Sequence, residues 1–539
     1  MANQAGLRVP LVLFVFVASV ISFCQADYIN ADFVAYSTVA QRVMTAPQTS
    51  ITGSWSPLFS WLMVPLMGLG IPDLIAGRLI LIASGVCYIF AIHRLACRFF
   101  TQSDLLNRIL THGIMTCATI QAIWFSTYLL NPDLLACAIV FWYFVILTDT
   151  RQSHPVMRYF LAGATAGFAY LAKAYMLPFC IAQLVAIAMI NGVFSSRMKG
   201  LPQRVPMGTA LVSMTIGLGI IAGPWVAVLT HKYGCLTYTN AGRANHANVG
   251  PESFGKDLLW HPPLARDYIL EPVIAQESSP FSSFSNFWHQ IRLIIHNSGN
   301  CAGLIPGWLL LMSLAILIGR RGLRKFDQPG HQIGLWAMLS AAVYCSGYVT
   351  VNLETRYIVP VVAPLMCFAA AGLIQATAVQ DGVGWTKRFP IFQRSERSLA
   401  LTSIMLCFVF AAVDVYSIGM VAVKHPQSTS LAAYRELARR LDATGIGHQI
   451  CASNKYHEGL YLAYVCGNLS NYLGATQSTD PVDLTNELAK NGVQVNIRWT
   501  DITHERPLID EISIARSPKR GLMIVDRLRS TEPIEVYIR

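Results

Sequence analysis

The sequence predicts an α-helical polytopic membrane protein with a small α/β domain at its C-terminal end. Three observations support this fold class. Hydrophobic residues make up 54% of the 539 residues and charged residues only 13%, about half the charged fraction of a soluble domain. Apolar segments of about 20 residues, enough to cross a bilayer, recur as far as residue 421. Beyond residue 424 charges become frequent and apolar runs shorten.

The apolar part contains eleven segments that qualify, or nearly qualify, as transmembrane helices. They are 7–26, 76–96, 109–130, 132–149, 158–177, 178–195, 209–230, 301–319, 332–350, 356–377 and 399–421. The first resembles a signal peptide, because Arg8 precedes an apolar run from Leu11 to Phe23. Ten further spans follow it, and a candidate active-site acid comes directly after it. We therefore predict an uncleaved first span.

Basic residues cluster in five of the connecting loops. The clusters are Arg94, Arg98 and Arg108; Arg151 and Arg158; Arg197, Lys199 and Arg204; Arg320, Arg321, Arg324 and Lys325; and Lys387, Arg388, Arg394 and Arg397. Because Lys and Arg concentrate in cytoplasmic loops, these five loops should face the cytoplasm. The net charge of +11 then reflects membrane topology and not nucleic-acid binding.

The same rule decides how the apolar segment Trp55–Ile71 is interpreted. A crossing there would put basic loops on both sides, and the segment is short and contains Pro57 and Pro65. We predict an interfacial or re-entrant piece. The protein is then an integral inner-membrane protein with its N-terminus in the cytoplasm. Loops 27–75 and 231–300 and the C-terminal domain lie on the outer face.

Two domains are predicted, a transmembrane domain over 1–424 and an outer α/β domain over 425–539. Within the second, helices are expected at 431–441, 459–465 and 480–489, and strands at 449–453, 494–499 and 521–525. This part of the sequence contains no Gly-rich phosphate loop and no metal-ligand spacing. It is therefore interpreted as a domain that caps or shapes a site, in preference to a second catalytic centre.

Two acidic residues at the edge of the apolar body are the main catalytic candidates. Asp32 follows the first span, and Asp133 directly precedes another. A carboxylate beside the hydrocarbon region costs several kcal/mol unless it is paired or used. Asp32, Tyr36 and Ala40 are spaced by four, so they share one face of a helix. The alternative for both acids is a stabilising position near a helix N-terminus.

Three cations on the predicted outer face complete the candidate site. They are Lys173, near the end of its span, Arg356, which opens another, and Arg78. Lys173 has the alternative of extending its ammonium to the membrane surface, and Glu354 is a candidate partner for Arg356. Three cations beside two carboxylates describe a site that binds an anion and moves a proton.

The cysteines and histidines give weaker signals. Cys451 and Cys466, or Cys235 and Cys301, are candidate disulfides, because both pairs lie on the predicted outer face. The 231–300 loop contains His231, His246, His261 and His289, without the spacing of a ligand pair on one helix. No cofactor is predicted, and a divalent metal stays open.

Seven short motifs, in this order, resemble the bacterial polyprenyl-phosphate-dependent glycosyltransferases of the GT-C type, which include protein mannosyltransferase-like and aminoarabinose-transferase-like enzymes. The motifs are Asp32-Phe-Val-Ala-Tyr36-Ser-Thr-Val-Ala40, Trp55-Ser-Pro-Leu58, Ala76-Gly-Arg-Leu79, Asn131-Pro-Asp-Leu-Leu135, Gly167-Phe-Ala-Tyr-Leu-Ala-Lys173, Gly223-Pro-Trp225 and Arg356-Tyr-Ile-Val-Pro360. The likeness covers residues 1–377, and the tail resembles the outer α/β domain of many relatives. Phe33 stands where the family usually has a second acid.

The resemblance implies a GT-C-like fold and the transfer of a sugar from a lipid-phosphate donor to a glycan, lipid or protein acceptor on the outer leaflet. It places Asp32 at the position of the catalytic carboxylate, and Asp133 is expected to hold the acceptor or to assist. The departing lipid phosphate is expected to be stabilised by Lys173, Arg356 or Arg78. Further candidate substrate-binding residues in the same motifs are Tyr36 and Tyr357. A transporter or flippase of lipid-linked sugars is the rival, although no paired repeat with broken helices is present. A structural or assembly role leaves the charged residues unexplained.

Overall fold

The computed structural model describes residues 2–100, 105–149, 154–194, 206–251, 264–271, 279–304, 329–351, 353–380, 415, 429–443, 447–478, 480–499, 509–514 and 523–526. Helices dominate these residues. They are α1 Ala2–Cys24, α2 Ala31–Thr45, α3 Leu58–Gly68, α4 Asp73–Phe99, α5 Leu105–Thr127, α6 Asp133–Leu147, α7 Pro155–Ala172, α8 Met176–Phe194, α9 Met207–Tyr233, α10 Ala241–Asn248, α11 Phe284–Leu304, α12 Pro329–Val349, α13 Thr355–Gln380, α14 Ala432–Ala443, α15 Tyr456–Val465 and α16 Pro481–Lys490.

The helices confirm the predicted membrane architecture. Every predicted span from 7–26 to 209–230 coincides with a described helix, and 332–350 and 356–377 coincide with α12 and α13. Spans 301–319 and 399–421 lie almost wholly outside the described residues, so the count of eleven stays a prediction. Four described helices are long and apolar enough to cross a membrane: Gly6–Cys24, Asp73–Phe99, Asn107–Thr127 and Met207–Tyr233. The protein is therefore an integral membrane protein.

The exposed surface of α1 is apolar, as expected for a helix in contact with lipid. Val9, Val12 and Phe16 are 71%, 70% and 67% exposed. Their apolar area would be unfavourable in water by roughly 25 cal/mol per Å², whereas a lipid environment removes that cost. By contrast, α3 is only 11 residues long and contains Pro65, and at 1.5 Å per residue it is too short to cross. Its length agrees with the predicted interfacial or re-entrant segment.

Close packing of α7 against α9 depends on small residues. A Cβ at Gly163 would meet the backbone of Met214, and one at Gly217 would meet the carbonyl of Phe160. Membrane helices approach closely through such small residues, because lipid gives no hydrophobic force between them. The contact holds α7, which Lys173 directly follows, close against α9.

The C-terminal part forms a five-stranded mixed sheet in the order β4-β3-β5-β6-β7. The strands are β3 Cys451–Ser453, β4 Tyr472–Ala475, β5 Val495–Trp499, β6 Ile509–Ile514 and β7 Met523–Asp526. Strands β4, β3 and β5 are parallel, with Cys451 opposite Tyr472 and Val495, and β5, β6 and β7 are antiparallel. The predicted α/β character is confirmed, while β4 and β6 were not predicted.

The C-terminal part is joined to the membrane part by a second, two-stranded sheet. β1 (Tyr28–Ile29) pairs antiparallel with β2 (Thr429–Ser430). Beside this pair, the Arg435 guanidinium forms an ion pair with Asp27, and the amide of Leu431 donates to the carbonyl of Asp27. The link between α1 and α2 is thus bound by the tail one turn before Asp32.

Candidate functional site

Asp32 lies in the first turn of α2, where its carboxylate forms an ion pair with the Arg356 guanidinium. The side chains are 15% and 8% exposed, respectively. Helix α2 is fixed against the bundle by an almost continuously buried stretch from Phe33 to Ala40. Phe33, at the position of the usual second acid, is fully buried over Gly77 of α4. The residue after Asp32 therefore contributes core packing and no charge.

Arg356 also binds Glu354 and Tyr357, its close neighbours in the chain. Its Nε donates to Glu354 Oε2 at 2.6 Å, and its Nη2 donates to the Tyr357 hydroxyl at 3.2 Å. The Tyr357 hydroxyl in turn donates to Glu354 Oε1 at 3.3 Å. Glu354 thus holds the Nε edge of the guanidinium, while Nη1 binds Asp32. Arg356 and Asp32 are far apart in the chain, so folding brings them together.

The second candidate acid forms the second ion pair. Asp133 begins α6, and its Oδ1 accepts from the Lys173 ammonium. Its backbone N–H donates to Asn131 Oδ1 at 3.1 Å. Asp133 is buried, and its Oδ2 has no hydrogen-bond partner among the described residues. A buried carboxylate oxygen without a partner is costly, so Lys173 is essential to this acid.

Tyr357 joins the two ion pairs through its ring. The Lys173 ammonium lies 3.8 Å from the ring centroid, and the Arg356 guanidinium carbon lies 5.0 Å from it. Tyr348 stacks on Tyr357 with ring centroids 5.2 Å apart. Cations over an aromatic face are stabilised by its quadrupole, so this ring holds two like charges at one site.

Tyr36 lies beside the same charges. Its ring packs edge-on against Trp55 and Phe59, with centroids at 5.2 and 5.6 Å. Burial raises the pKa of Tyr36 well above its usual value, and the negative charges of Asp32 and Asp133 raise it further. The hydroxyl therefore stays protonated and available as a donor. The shared face of Asp32, Tyr36 and Ala40 is present, with Tyr36 and Ala40 buried.

Arg78 occupies a different place from the other cations. It is 5% exposed, and its Nη2 donates to the carbonyls of Gln25 and, at 3.1 Å, Tyr28. Its Nε and Nη1 are buried without a hydrogen-bond partner among the described residues. Arg78 therefore binds the link that leads into α2, and no described contact joins it to the two ion pairs.

The tail reaches α2 through a contact that the sequence did not indicate. The Tyr464 hydroxyl donates to Asp73 Oδ2 at 2.8 Å, and Ser37 of α2 donates to the same oxygen. Burial raises the pKa of Tyr464 well above its usual value, and Asp73 raises it further. Asp73, which begins α4, thus connects the tail to the helix that carries Asp32.

Residues 264–271 of the 231–300 loop pack against the segment that contains Trp55. The Trp55 indole donates to the carbonyl of Ile269 at 2.6 Å, and Thr52 donates to that of Leu270 at 2.6 Å. Arg42 forms an ion pair with Asp267, which adopts a positive φ of 57°. These contacts fix residues 264–271 over the segment that packs on Tyr36.

Neither candidate cysteine pair forms a disulfide, and the described part of the chain contains no cluster arranged to bind a metal ion. Cys235, Cys301, Cys451 and Cys466 are free thiols, and Cys301 lies 3.6 Å from Cys345 (Sγ to Sγ). Among the described residues no group of three His, Cys, Asp or Glu side chains is arranged to hold a metal ion. His246 contacts Gln290 and His289 contacts the carbonyl of Val249, at 2.9 and 2.8 Å. His261 lies outside the described residues.

Comparison with known proteins identifies the fold. The chain matches no protein-family model, and a search of curated proteins finds no match. Among solved structures it is similar to ArnT from Cupriavidus metallidurans bound to undecaprenyl phosphate, at 13% identity over 95% of this chain and 97% of that chain, with a TM-score of 0.51. The chain is also similar to the apo oligosaccharyltransferase from Archaeoglobus fulgidus, at 10% identity over 91% of this chain and 69% of that chain, with a TM-score of 0.48. A further similar structure is the arabinofuranosyltransferase AftD from Mycobacteria, at 12% identity over 92% of this chain and 35% of that chain, with a TM-score of 0.43.

The class of molecule follows from these observations. It is a polytopic membrane protein in which two partly buried ion pairs meet at the ends of α2, α6, α7 and α13. Its fold is the GT-C type, as the ArnT likeness over nearly the whole chain shows. The fold expected from the seven motifs is therefore confirmed.

Proposed function

We propose that this protein is a membrane glycosyltransferase that moves a sugar from a polyprenyl-phosphate-linked donor to an acceptor on the outer face of the membrane. The observation that carries the proposal is the pairing of Asp32 with Arg356 beside Asp133 with Lys173. One cluster then contains both a proton acceptor and cations for an anionic leaving group. The GT-C fold, and the undecaprenyl phosphate of the ArnT structure, support a lipid-phosphate donor.

Asp32 is the proposed general base. It accepts the proton of the acceptor hydroxyl, whose oxygen forms a bond to the anomeric carbon. The bond between that carbon and the donor phosphate breaks, and the phosphate leaves with the electron pair. Arg356 and Lys173 stabilise the charge that develops on it. We assign Asp133 to holding Lys173, and Tyr36 and Tyr357 to contacts with the bound substrates.

Other parts of the chain have supporting roles in this proposal. We assign Arg78 to positioning the link before α2, because its Nη2 donates to the backbone carbonyls of Gln25 and Tyr28. Residues 1–424 form the transmembrane domain, with the N-terminus in the cytoplasm. Residues 425–539 form an outer domain that covers the site through its contacts with β1, Asp73 and residues 264–271.

The test is an assay of the purified full-length protein in detergent micelles. A radiolabelled polyprenyl-phosphate sugar is supplied with membrane extract as acceptor, and both label transfer and donor hydrolysis are measured. We expect transfer or hydrolysis by the wild type, and none by heat-treated protein. A glycosyltransferase acts without a second compartment. Label movement across a proteoliposome membrane without any bond cleavage would instead indicate a flippase and contradict the proposal.

A further inference from the structure

The proposed base is not free in this structure. Arg356 and Asp32 are paired, and Asp32 Oδ2 accepts from the guanidinium, so this oxygen faces Arg356 and not an acceptor hydroxyl. Asp32 Oδ2 becomes available to an acceptor hydroxyl once the carboxylate and Arg356 separate. The geometry points to the donor itself: we propose that the phosphate headgroup of the donor replaces Asp32 on Arg356, and that binding of the donor thereby releases the base. This inference rests on the proposed function.

The charge balance of the cluster favours an exchange of partners over simple addition of an anion. Three carboxylates, Asp32, Asp133 and Glu354, face two cations, Lys173 and Arg356, which leaves the five groups with a net charge of −1 when all are ionised. A phosphate added to the intact cluster would meet this excess of negative charge. If Asp32 turns away from Arg356, the phosphate takes the place of one negative group, and the negative charge around the two cations does not increase.

The contacts of Arg356 show which of its bonds can be exchanged. Its Nε is held by Glu354 at 2.6 Å and its Nη2 contacts the Tyr357 hydroxyl at 3.2 Å, while its Nη1 binds Asp32. A guanidinium has five donor hydrogens in a fixed fork. Glu354 can therefore keep the fork in place while the Nη edge passes from Asp32 to a phosphate oxygen.

The two acids differ in how easily they can give up their cations. Both acids lie in the first turn of a helix, but the Asp32 side chain is 15% exposed, so solvent can stabilise its carboxylate once it is free. Asp133 is 5% exposed, and its second oxygen has no hydrogen-bond partner among the described residues. Removing Lys173 from it would leave a buried unpaired charge, which is strongly unfavourable. The exchange thus occurs at Asp32, and Lys173 contributes its remaining N–H donors without leaving Asp133.

The exchange predicts an unusual result for the base. Asp32→Asn removes the competitor for Arg356, so it should bind undecaprenyl phosphate about ten-fold more tightly, the order expected for one charge-assisted contact that no longer has to be given up. Arg356→Gln should bind it more weakly, and the double variant Asp32→Asn/Arg356→Gln should show no gain over Arg356→Gln. Asp32→Ser is prepared alongside, so that a folding defect of one substitution does not decide the result.

Affinity is measured for the purified full-length protein with three probes: undecaprenyl phosphate, undecaprenol and inorganic phosphate. Undecaprenol should bind equally to wild type and Asp32→Asn, because it has no anionic headgroup. A gain for inorganic phosphate alone would indicate a free-anion site and overturn the proposal. Asp27→Asn is the matched control, since it removes an ion-paired acid that contacts Arg435 and not Arg356. It should leave all three affinities unchanged.

Two further results would overturn the inference while the proposed function stands. One is a wild type that transfers label together with an Asp32→Asn variant whose affinity for undecaprenyl phosphate is unchanged or weaker. The other is a gain that persists in the Arg356→Gln background, because the gain would then come from general charge and not from competition for Arg356. Failure of the wild type to cleave any donor refutes the proposed function instead, whatever the binding data show.

Discussion

The Lys173 ammonium lies 3.8 Å from the centroid of the Tyr357 ring. Lys173 directly follows α7 as its C-cap, and Tyr357 lies in the first turn of α13, so this contact joins the ends of two helices that are far apart in the chain. The same ring lies 5.0 Å from the Arg356 guanidinium carbon. Tyr357 is therefore the structural link between the Asp133–Lys173 and Asp32–Arg356 pairs, and it should matter for its ring more than for its hydroxyl.

Substitution of Tyr357 tests this link. Tyr357→Phe keeps the ring and should lower kcat/KM only a few-fold. Tyr357→Leu loses a cation–π contact worth about 0.5–2 kcal/mol, which corresponds to a loss of up to about 30-fold in kcat/KM. Steady-state kinetics of the transfer reaction distinguish the two. Equal losses for Phe and Leu would contradict a role for the ring, and the exposed Tyr238→Leu serves as control.

Asp32→Asn should abolish most transfer while the protein still inserts and purifies as a monodisperse sample. Removal of a general base typically costs about 10²–10⁴ in rate. The rate of label transfer at saturating donor is the measurement, since tighter donor binding cannot mask it. Asp27→Asn, on an exposed ion pair, should retain the wild-type rate. Full activity of correctly folded Asp32→Asn would exclude Asp32 as the base.

The contact between Tyr464 and Asp73 should hold the tail on α2. Tyr464→Phe removes one hydrogen bond to a carboxylate, worth about 1.5–3 kcal/mol, and should lower the thermal midpoint and speed proteolysis of the tail. Because burial and Asp73 raise the pKa of Tyr464 in the folded state, its stabilising effect is complete below the unfolded value of about 10 and declines as the pH rises beyond it. In Tyr464→Phe, the part of the stability loss at alkaline pH that comes from Tyr464 should be absent. An unchanged midpoint at pH 8, matching that of Tyr238→Phe, would show that the contact does not hold the tail.

Two glycines on α9 provide a matched pair for helix packing. A Cβ at Gly217 would meet the carbonyl of Phe160, whereas a Cβ at Gly219 has nothing within 4 Å. Gly217→Ala should destabilise the protein by about 1–3 kcal/mol through overpacking. Gly219→Ala should be neutral or stabilising, because Ala favours a helix over Gly by about 0.5–1 kcal/mol. Thermal unfolding of both variants is the measurement, and equal effects would contradict the close contact of α7 and α9.

Local properties of the sequence explain which elements could be predicted. Hydropathy indicates a span wherever the residues themselves are apolar, so α4 and α9 follow directly from their composition. Helices with clear start signals, such as α16 after Asp480, were also predicted, and the Asp480 side chain indeed accepts from Val482 and Asp483. Strand β4, Tyr472–Ala475, was missed because a run of four residues becomes a strand only through pairing with β3.

The candidate site also has features that the sequence predicts and features that depend on the tertiary structure. The sequence by itself determined that this is a membrane protein and that Asp32, Asp133, Lys173 and Arg356 are charges in need of partners, because the cost of a charge beside hydrocarbon is a property of each residue. Only the tertiary structure decided the pairing. Asp32 and Arg356 are separated by 324 residues, so their contact depends on how α2 and α13 pack. The same packing brings Arg78 to the backbone carbonyls of Gln25 and Tyr28, contacts that its sequence motif does not indicate.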